Sequence, residues 1–415
     1  MITIRFLIRV PDRARTSRRP YYDTTKDQAD CVPGGMRISL RISYILLPLL
    51  LVSLLLAACG DPVTQSSNTG PIDSPSASNQ QTATPVTMAI GSFHEYALPQ
   101  TNSGLMRPAI DHEGRVWFGE MNQNYLAVLD AHTQKFQQIK TPHGLAGIMG
   151  VEVASDDTIW FAEQYADYIG HYFPKTGHFQ VYPLSTLTVP DPSDASKTLT
   201  LPGAPNDLAI DKNGNIWFTE LNAGAIGRLD PHIGSIQQYP LAAKQNIQMI
   251  DPYGITVDAQ GIVWFTESGT GHVGRLDPTT GRTSFYTPTI EKNSALMEIT
   301  SGTHGMLWIT TFNSVLLSLD SATGSFKTYY APTTDGSESG SGGLYGVLSD
   351  PATGNIWMTV SAQNVLARLD TATGRFTYYA IPTTGSLPLG IVAGEHTTLW
   401  FTEAGKDKIG MLSVE

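Results

Sequence analysis

The sequence is poor in cysteine, in charged residues and in long apolar runs. Its 415 residues include two cysteines, Cys31 and Cys59, which excludes a disulfide framework and a four-thiolate zinc site. Charged residues make up only 15%, and 37 acidic against 26 basic side chains give a net charge of −11. Because neutralising phosphates requires clustered Lys and Arg, this balance argues against a nucleic-acid partner. With 41% hydrophobic residues, the chain can nevertheless form a substantial core.

The longest apolar run, residues 45–56, is too short to cross a bilayer as a permanent helix. Arg37 and Arg41 precede it and small residues follow it, a pattern typical of a secretory signal peptide. The sequence Leu56-Ala57-Ala58-Cys59 resembles the bacterial lipobox, which implies cleavage before Cys59 and acylation of its thiol. An ordinary signal peptide with an incidental cysteine is the alternative.

These features divide the chain into four segments. Residues 1–35 contain nothing typical of a signal peptide, so we expect Met36 to be the true start and 1–35 to be a non-native or untranslated extension. A genuine basic extension is the alternative. Residues 36–58 are the predicted lipoprotein signal peptide, and residues 59–92 are the lipidated Cys59 with a flexible Ser/Thr/Pro-rich linker. Residues 93–415 form the folded domain, which we expect to be extracytoplasmic and lipid-anchored to the cell membrane.

Seven tryptophans recur through this domain at separations of 43 to 57 residues. Each lies in a motif such as Val263-Trp264-Phe265-Thr266-Glu267, and a second motif follows it, for example Val273-Gly274-Arg275-Leu276-Asp277. Every repeat supplies four short β-rich runs separated by Asp, Asn and Gly turns, without helical periodicity. This period predicts a seven-bladed β-propeller with four strands per blade. The tryptophans are Trp117, Trp160, Trp217, Trp264, Trp308, Trp357 and Trp400.

The two ends of the folded domain complement each other. The last repeat stops at Ile409-Gly410-Met411-Leu412 without its fourth run, and a matching run, Phe93-His94-Glu95-Tyr96, begins the domain. Pairing of these two runs would close the ring and leave no open sheet edge. The predicted fold class is therefore all-β, with the ring closed by the N-terminal strand.

These motifs resemble those of the virginiamycin B lyase (streptogramin lyase) family, and the resemblance extends over residues 93–415. It implies a propeller enzyme that linearises cyclic streptogramins by elimination at an ester C–O bond, with Mg²⁺ and a His general base. In the family the last blade opens with acid-Pro-His-Gly, and a metal-binding Glu lies four residues after its Trp. At the matching positions this chain has Leu387, Leu389 and Ala404, and Tyr345 replaces a second His in the preceding blade.

The innermost strands should all begin around one end of the central channel, which we call the mouth. The seven starting positions are mostly apolar and include no His. Met adapts its shape and Tyr adds a polar tip, so these residues favour a pocket for a flexible apolar or aromatic ligand. Side chains that simply fill the channel are the equally weighted alternative. The positions are Met106, Met149, Asn206, Tyr253, Met297, Tyr345 and Leu389.

The fourth blade keeps part of the family's pattern. Asp251-Pro252-Tyr253-Gly254 has Tyr in place of His, and Glu267 follows the blade's Trp. Asp251, Tyr253 and Glu267 are therefore the candidate catalytic residues, although Tyr is a poor base near neutral pH and Asp-Pro commonly starts a turn.

Other carboxylates recur near the predicted mouth. Asp207 and Glu298 replace the usual Gly beside it and are secondary candidates. A Glu at one repeated position could gather cations as a ring, but we favour a role in the turn of each blade. These residues are Glu120, Glu163, Glu220, Glu267 and Glu403.

We expect a cell-surface lipoprotein whose propeller binds a small-molecule, peptide or glycan ligand, without a cofactor or a metal. One alternative is a streptogramin-type C–O lyase with a rebuilt site at Asp251, Tyr253 and Glu267, which would require Mg²⁺. Another is a metal-dependent lactonase that uses Asn206, Asp207 and Glu298 on the channel axis. A divalent metal with three or more converging oxygen ligands would distinguish the enzymes from the binding protein.

Overall fold

The computed structural model describes residues 86–191, 193–241, 250–290, 294–333 and 343–414. The expected extension, the signal peptide, Cys59 and most of the linker lie outside the described residues. Within these ranges no helix is long and apolar enough to span a bilayer. Nearly all of the regular structure there is β-strand, with two short 3₁₀ turns at Thr303–Gly305 and Ser361–Gln363.

The strands form seven four-stranded antiparallel blades, as predicted, and the first six blades run from their inner to their outer strand in chain order. Blade 1 consists of β3 (Leu105–Ile110), β4 (Val116–Glu120), β5 (Tyr125–Asp130) and β6 (Lys135–Lys140). Blade 2 consists of β7 (Ile148–Val153), β8 (Ile159–Glu163), β9 (Tyr168–Phe173) and β10 (His178–Pro183). Blade 3 consists of β13 (Pro205–Ile210), β14 (Ile216–Glu220), β15 (Ala225–Asp230) and β16 (Ser235–Pro240). Blade 4 consists of β17 (Pro252–Val257), β18 (Val263–Glu267), β19 (His272–Asp277) and β20 (Arg282–Tyr286). Blade 5 consists of β21 (Leu296–Ser301), β22 (Met306–Thr311), β23 (Val315–Asp320) and β24 (Phe326–Tyr330). Blade 6 consists of β25 (Leu344–Ser349), β26 (Ile356–Val360), β27 (Val365–Asp370) and β28 (Arg375–Ala380). Blade 7 is β29 (Pro388–Ala393), β30 (Thr398–Glu403), β31 (Lys408–Ser413) and the N-terminal β2 (Ser92–Ala97).

The ring closes through the N-terminal strand. Strand β2 pairs antiparallel with β31, with Phe93 opposite Leu412, which confirms the expected pairing of the two ends. The sequence did not indicate a further short strand, β1 (Thr87–Ala89), which pairs in parallel with β28 at the outer edge of blade 6. The N-terminal segment therefore fastens two adjacent blades.

The repeated tryptophans form the contacts between blades. Each lies on the second strand of its blade and packs into the hydrophobic core of the next blade. Trp217 of blade 3, for instance, clusters with Ile255 and Val263 of blade 4. Trp400 of blade 7 clusters with Leu105 and Val116 of blade 1. One large apolar side chain per repeat thus buries the facing surfaces of neighbouring sheets.

The two repeated motifs fit each other across the sheet. Phe265 of the first motif lies opposite Gly274 of the second, and a Cβ on Gly274 would come within 2.0 Å of the Phe265 ring. The same Phe–Gly relation occurs between Phe218 and Gly227 in blade 3. The glycine is required because the aromatic ring occupies the space where a side chain would stand.

A threonine of the first motif joins adjacent blades near the channel. Each inner strand has a register shift after its first residue, so the N–H group beside the shift cannot join the regular ladder. In blade 4 the Thr266 hydroxyl accepts a hydrogen bond from Gly254 N at 2.9 Å and donates one to the Met297 carbonyl of blade 5 at 2.6 Å. Thr402 makes the equivalent bonds to Gly390 in blade 7 and to Met106 in blade 1.

The connection between blades 2 and 3 contains regular structure of its own. It forms a two-stranded hairpin from β11 (Leu187–Asp191) and β12 (Asp194–Leu201). Alternating Thr and aliphatic residues favour this pairing, in which Val189 lies opposite Leu199.

Candidate functional site

The first layer of the channel is a set of tightly packed side chains at the mouth. The starting residues of the inner strands converge there, as their equivalent positions predict, and each is at most 6% exposed. They cluster with Met121 and Leu221 from the loops after the Trp strands. We call this layer the mouth plug; its members are Met106, Met149, Asn206, Tyr253, Met297, Tyr345 and Leu389. The packing matches the alternative in which these side chains fill the channel, and a ligand would contact the outer surface of the plug.

The polar members of the mouth plug bond to one another. The hydroxyls of Tyr253 and Tyr345 are hydrogen-bonded, and the two rings meet edge to face with centroids 6.2 Å apart. Asn206 accepts a hydrogen bond from Gln164 at 3.1 Å and donates one to the Tyr253 carbonyl at 3.0 Å. These bonds satisfy polar groups that are otherwise shielded from water, and they cross-link four blades.

The blade 7 positions that the resemblance associates with base and metal lie in this same apolar cluster. Leu389 is buried in the plug, and Leu387 and Ala404 pack against it. None of these side chains can accept a proton or coordinate a cation. The residues at these positions therefore do not fit the Mg²⁺ ion or the His base of the lyase reaction.

The three candidate catalytic residues of blade 4 have separate contacts. Burial raises the pKa of Asp251 to about 6, and its backbone carbonyl accepts hydrogen bonds from Ser268. Burial also raises the pKa of Tyr253 to about 12, which makes its phenol a weaker acid at neutral pH. The Glu267 carboxylate accepts hydrogen bonds within its own blade, from Thr270 and from His272 at 3.2 Å.

The repeated Glu of the first motif is buried in every blade that carries it. Four of these carboxylates bond to groups close to their own blade, such as Gln138 for Glu120 and Gln238 for Glu220, at 2.6 and 2.7 Å. Neither carboxylate oxygen of Glu403 has a hydrogen-bond partner among the described residues. Burial raises the pKa of Glu220 and Glu403 to about 8. For four of the five glutamates, these contacts support the structural role within the blade over a cation-gathering ring.

Directly behind the mouth plug the two secondary candidates, Asp207 and Glu298, meet an arginine that the sequence did not single out, and the three form a charged cluster. Arg107 extends from blade 1 and pairs with Asp207 of blade 3 (Nε–Oδ1, 3.3 Å) and Glu298 of blade 5 (Nη2–Oε1, 2.6 Å). Its guanidinium also lies 5.2 Å from the centre of the Tyr253 ring. Arg107 occupies the same inner-strand position as Asp207 and Glu298, so comparing all seven repeats at that position would have found it.

These buried charges change one another's acidity. Burial raises the pKa of Asp207 and that of Glu298, the latter to about 7, although Arg107 opposes both shifts. Burial alone would lower the pKa of Arg107, but the two carboxylates hold it well above its usual value. Arg107 thus provides at this site the positive charge that the lactonase hypothesis assigned to a metal. Among the described residues, no group of three or more His, Cys, Asp or Glu is placed to hold a metal ion.

The channel widens behind this cluster into a cavity of about 480 Å³. Its walls are formed by the remaining parts of the inner strands, and the mouth plug closes one end. The last residues of these strands, including Ile110 and Val257, are partly exposed, so the cavity opens at the opposite end. We call this opening the far end of the channel.

A histidine with a fixed ring orientation was also missed. His143 precedes blade 2, and its Nδ1 is hydrogen-bonded to the buried Glu163 carboxylate. Its ring stacks on Tyr168 with centroids 4.0 Å apart. A carboxylate that fixes one ring nitrogen orients the other, an arrangement found in general bases. The His143–Glu163 pair had no signal in the sequence beyond the two residue types, which lie 20 residues apart.

A closed ring of seven four-stranded blades around a plugged channel defines this chain as a seven-bladed β-propeller protein. The profile of the virginiamycin B lyase family matches residues 77–289 and 286–415. The chain therefore belongs to this family, as the repeated motifs indicated. No significantly similar sequence was found among curated proteins.

Solved structures of family members have the same fold. Virginiamycin B lyase from Staphylococcus aureus is 25% identical, with a TM-score of 0.66 over 78% of this chain and 100% of that one. A streptogramin B lyase is 28% identical, with a TM-score of 0.67 over 78% of this chain and 98% of that one. A catalytically inactive variant of the Staphylococcus aureus enzyme, solved with quinupristin, is 25% identical, with a TM-score of 0.66 over 78% and 100% of the two chains.

Proposed function

We propose that this protein is a cell-surface lipoprotein whose propeller binds a ligand at the mouth of its channel and does not carry out the family's elimination reaction at the family's site. The ligand would be a small molecule, a peptide or a glycan that contacts the outer surface of the mouth plug. The membrane attachment in this proposal is the lipid on Cys59.

The apolar packing of Leu387, Leu389 and Ala404 is the observation that carries the proposal. Elimination needs a base beside the acidic carbon, and a cation to stabilise the charge that develops on the carbonyl oxygen. Aliphatic side chains supply neither group. They do supply, together with the partly exposed Tyr165 and Phe312 around the plug, an apolar and aromatic surface suited to ligand contact.

The first test is an assay for opening of the quinupristin lactone ring by the purified protein, with and without MgCl₂. We expect no ring opening above the uncatalysed rate in either condition. Calorimetric titration with MgCl₂ should show no micromolar binding. Ring opening that Tyr253→Phe or Glu267→Gln abolishes would overturn the proposal and establish a site rebuilt in blade 4.

A second candidate function is a C–O lyase that uses His143 as its base, because the buried Glu163 carboxylate orients this ring through its Nδ1. The same quinupristin assay distinguishes it. Activity lost in His143→Ala but retained in His178→Ala, a change at the exposed start of the outer strand of the same blade, would favour this function.

The proposed membrane anchor has its own test. The Cys59→Ser variant should fail to incorporate labelled palmitate and should leave the membrane fraction, because a serine cannot receive the thioether-linked lipid. Unchanged membrane association of this variant would refute lipid anchoring at Cys59 while leaving the ligand-binding proposal standing.

A further inference from the structure

The cavity at the far end of the channel is separate from the mouth, because the plug lies between them. Its volume of about 480 Å³ falls in the range of small-molecule sites in proteins. Partly exposed aliphatic residues such as Ile110, Val257 and Ile391 line it, although polar atoms form the larger part of the surface that faces the cavity, and the charged cluster lies near the closed end. Polar groups beside aliphatic residues suit an amphipathic molecule.

The charges that line the cavity do not balance. Arg107 is the single cationic residue in the cavity wall, whereas three residues of the wall carry carboxylates: Asp207, Glu298 and Glu152. Asp207 and Glu298 both pair with Arg107. Glu152 has no hydrogen bond or ion pair to any residue that the structure describes. Glu152 is partly exposed in the open cavity, so a ligand can reach it, and a ligand that displaces water from its ionised carboxylate must bring a compensating cation.

Glu152 is also exceptional at its level of the channel. The equivalent residues of the other blades are small, aliphatic or hydroxyl-bearing, and Glu152 alone carries a charge. Five of them line the cavity beside it: Ala109, Ala209, Thr256, Thr300 and Val392. The threonine hydroxyls can accept hydrogen bonds from a cationic donor, and the remaining residues leave room for an apolar chain.

We propose that the cavity binds a primary alkylammonium ion that enters from the far end, with its ammonium group at Glu152 and its hydrocarbon chain along the aliphatic wall. An organic cation fits better than a metal ion, because no three carboxylate or histidine ligands converge among the described residues. Two of the three carboxylates are already engaged by Arg107, which leaves Glu152 to pair with the ligand.

Isothermal titration of the purified full chain with hexylammonium chloride tests this site directly. We expect one hexylammonium per chain, and binding at least tenfold weaker for 1-hexanol, which has the same chain without the charge. Glu152→Gln should weaken hexylammonium binding at least tenfold, equivalent to about 1.4 kcal/mol. Glu395→Gln, a change at an exposed glutamate outside the cavity wall, should leave it unchanged.

A second measurement uses the wild-type protein alone, so it does not depend on folding of the variant. Burial and the nearby Asp207 raise the pKa of Glu152 to about 8, against the opposing effect of Arg107. Near pH 7.5 a bound ammonium should therefore expel a proton from Glu152. The heat of hexylammonium binding should depend on the ionisation enthalpy of the buffer, whereas the heat for 1-hexanol should not.

Several results would overturn the proposal. No binding at millimolar hexylammonium would refute the site, as would equal affinities for hexylammonium and 1-hexanol. Unchanged affinity in Glu152→Gln, or an equal loss in Glu395→Gln, would show that Glu152 does not receive the ammonium. None of these results bears on the mouth of the channel, where the quinupristin assay tests ring opening separately.

Discussion

Removing the hydroxyl that joins blades 4 and 5 should destabilise the whole ring. In Thr266→Val, the buried Gly254 N–H and the buried Met297 carbonyl each lose a partner now 2.9 and 2.6 Å away. Leaving one buried polar group unsatisfied costs about 1–3 kcal/mol, so we expect a loss of about 2–6 kcal/mol in the free energy of unfolding. Urea unfolding followed by tryptophan fluorescence measures this loss, because every Trp lies at a blade interface.

Thr266→Ser is the matched control, because it keeps the hydroxyl and removes only a buried methyl group. We expect it to cost about 1 kcal/mol. If serine and valine destabilise the protein equally, the hydroxyl does not hold the blades together and the reasoning is refuted. The midpoint should shift without a change in the m-value, since both variants unfold the same surface.

Two further changes test the buried charges and the fit between motifs. Burial raises the folded-state pKa of Glu152 to about 8 and that of Glu298 to about 7, above the value of about 4.3 in the unfolded chain. Because the folded state then binds more protons than the unfolded state, the melting temperature should fall as the pH rises from 5 to 9. Glu152→Gln should make the melting temperature less dependent on pH. If the melting temperature of Glu152→Gln depends on pH as strongly as that of the wild type, Glu152 does not have the raised pKa. Gly274→Ala places a Cβ within 2.0 Å of the Phe265 ring and should cost about 1–3 kcal/mol or more in chemical denaturation, whereas Gly144→Ala, with no atom within 4 Å, should cost almost nothing. Equal stabilities of these two variants would refute the steric argument.

The fold could be predicted from the sequence because its determinants are local and repeated. Each blade has a Trp that fills the next blade, and five of the seven have a Phe that covers their own sheet above a small residue; blades 5 and 6 have Ile309 and Met358 in place of the Phe. Those features recur at fixed offsets, as in Trp264, Phe265 and Gly274. Even the closure by β2 could be predicted, because the fourth strand missing from the last repeat appears at the start of the domain.

The candidate site could be predicted only in part. Alignment of the repeats placed the seven plug residues at one end of the channel, and their side chains do meet there. The same alignment could not tell whether they leave a pocket or fill the space. That outcome depends on side-chain volumes summed across seven blades, and on the bond between Tyr253 and Tyr345.

The sequence by itself determined the propeller, its seven blades and its membership of a family. Only the tertiary structure decided that Arg107, Asp207 and Glu298, from blades 1, 3 and 5, meet behind the plug, with Glu152 of blade 2 facing the same cavity. The physical reason is that repeat motifs specify contacts within a blade and between neighbouring blades. Contacts across the channel join non-adjacent blades, and they depend on the width of the closed ring and the reach of each side chain.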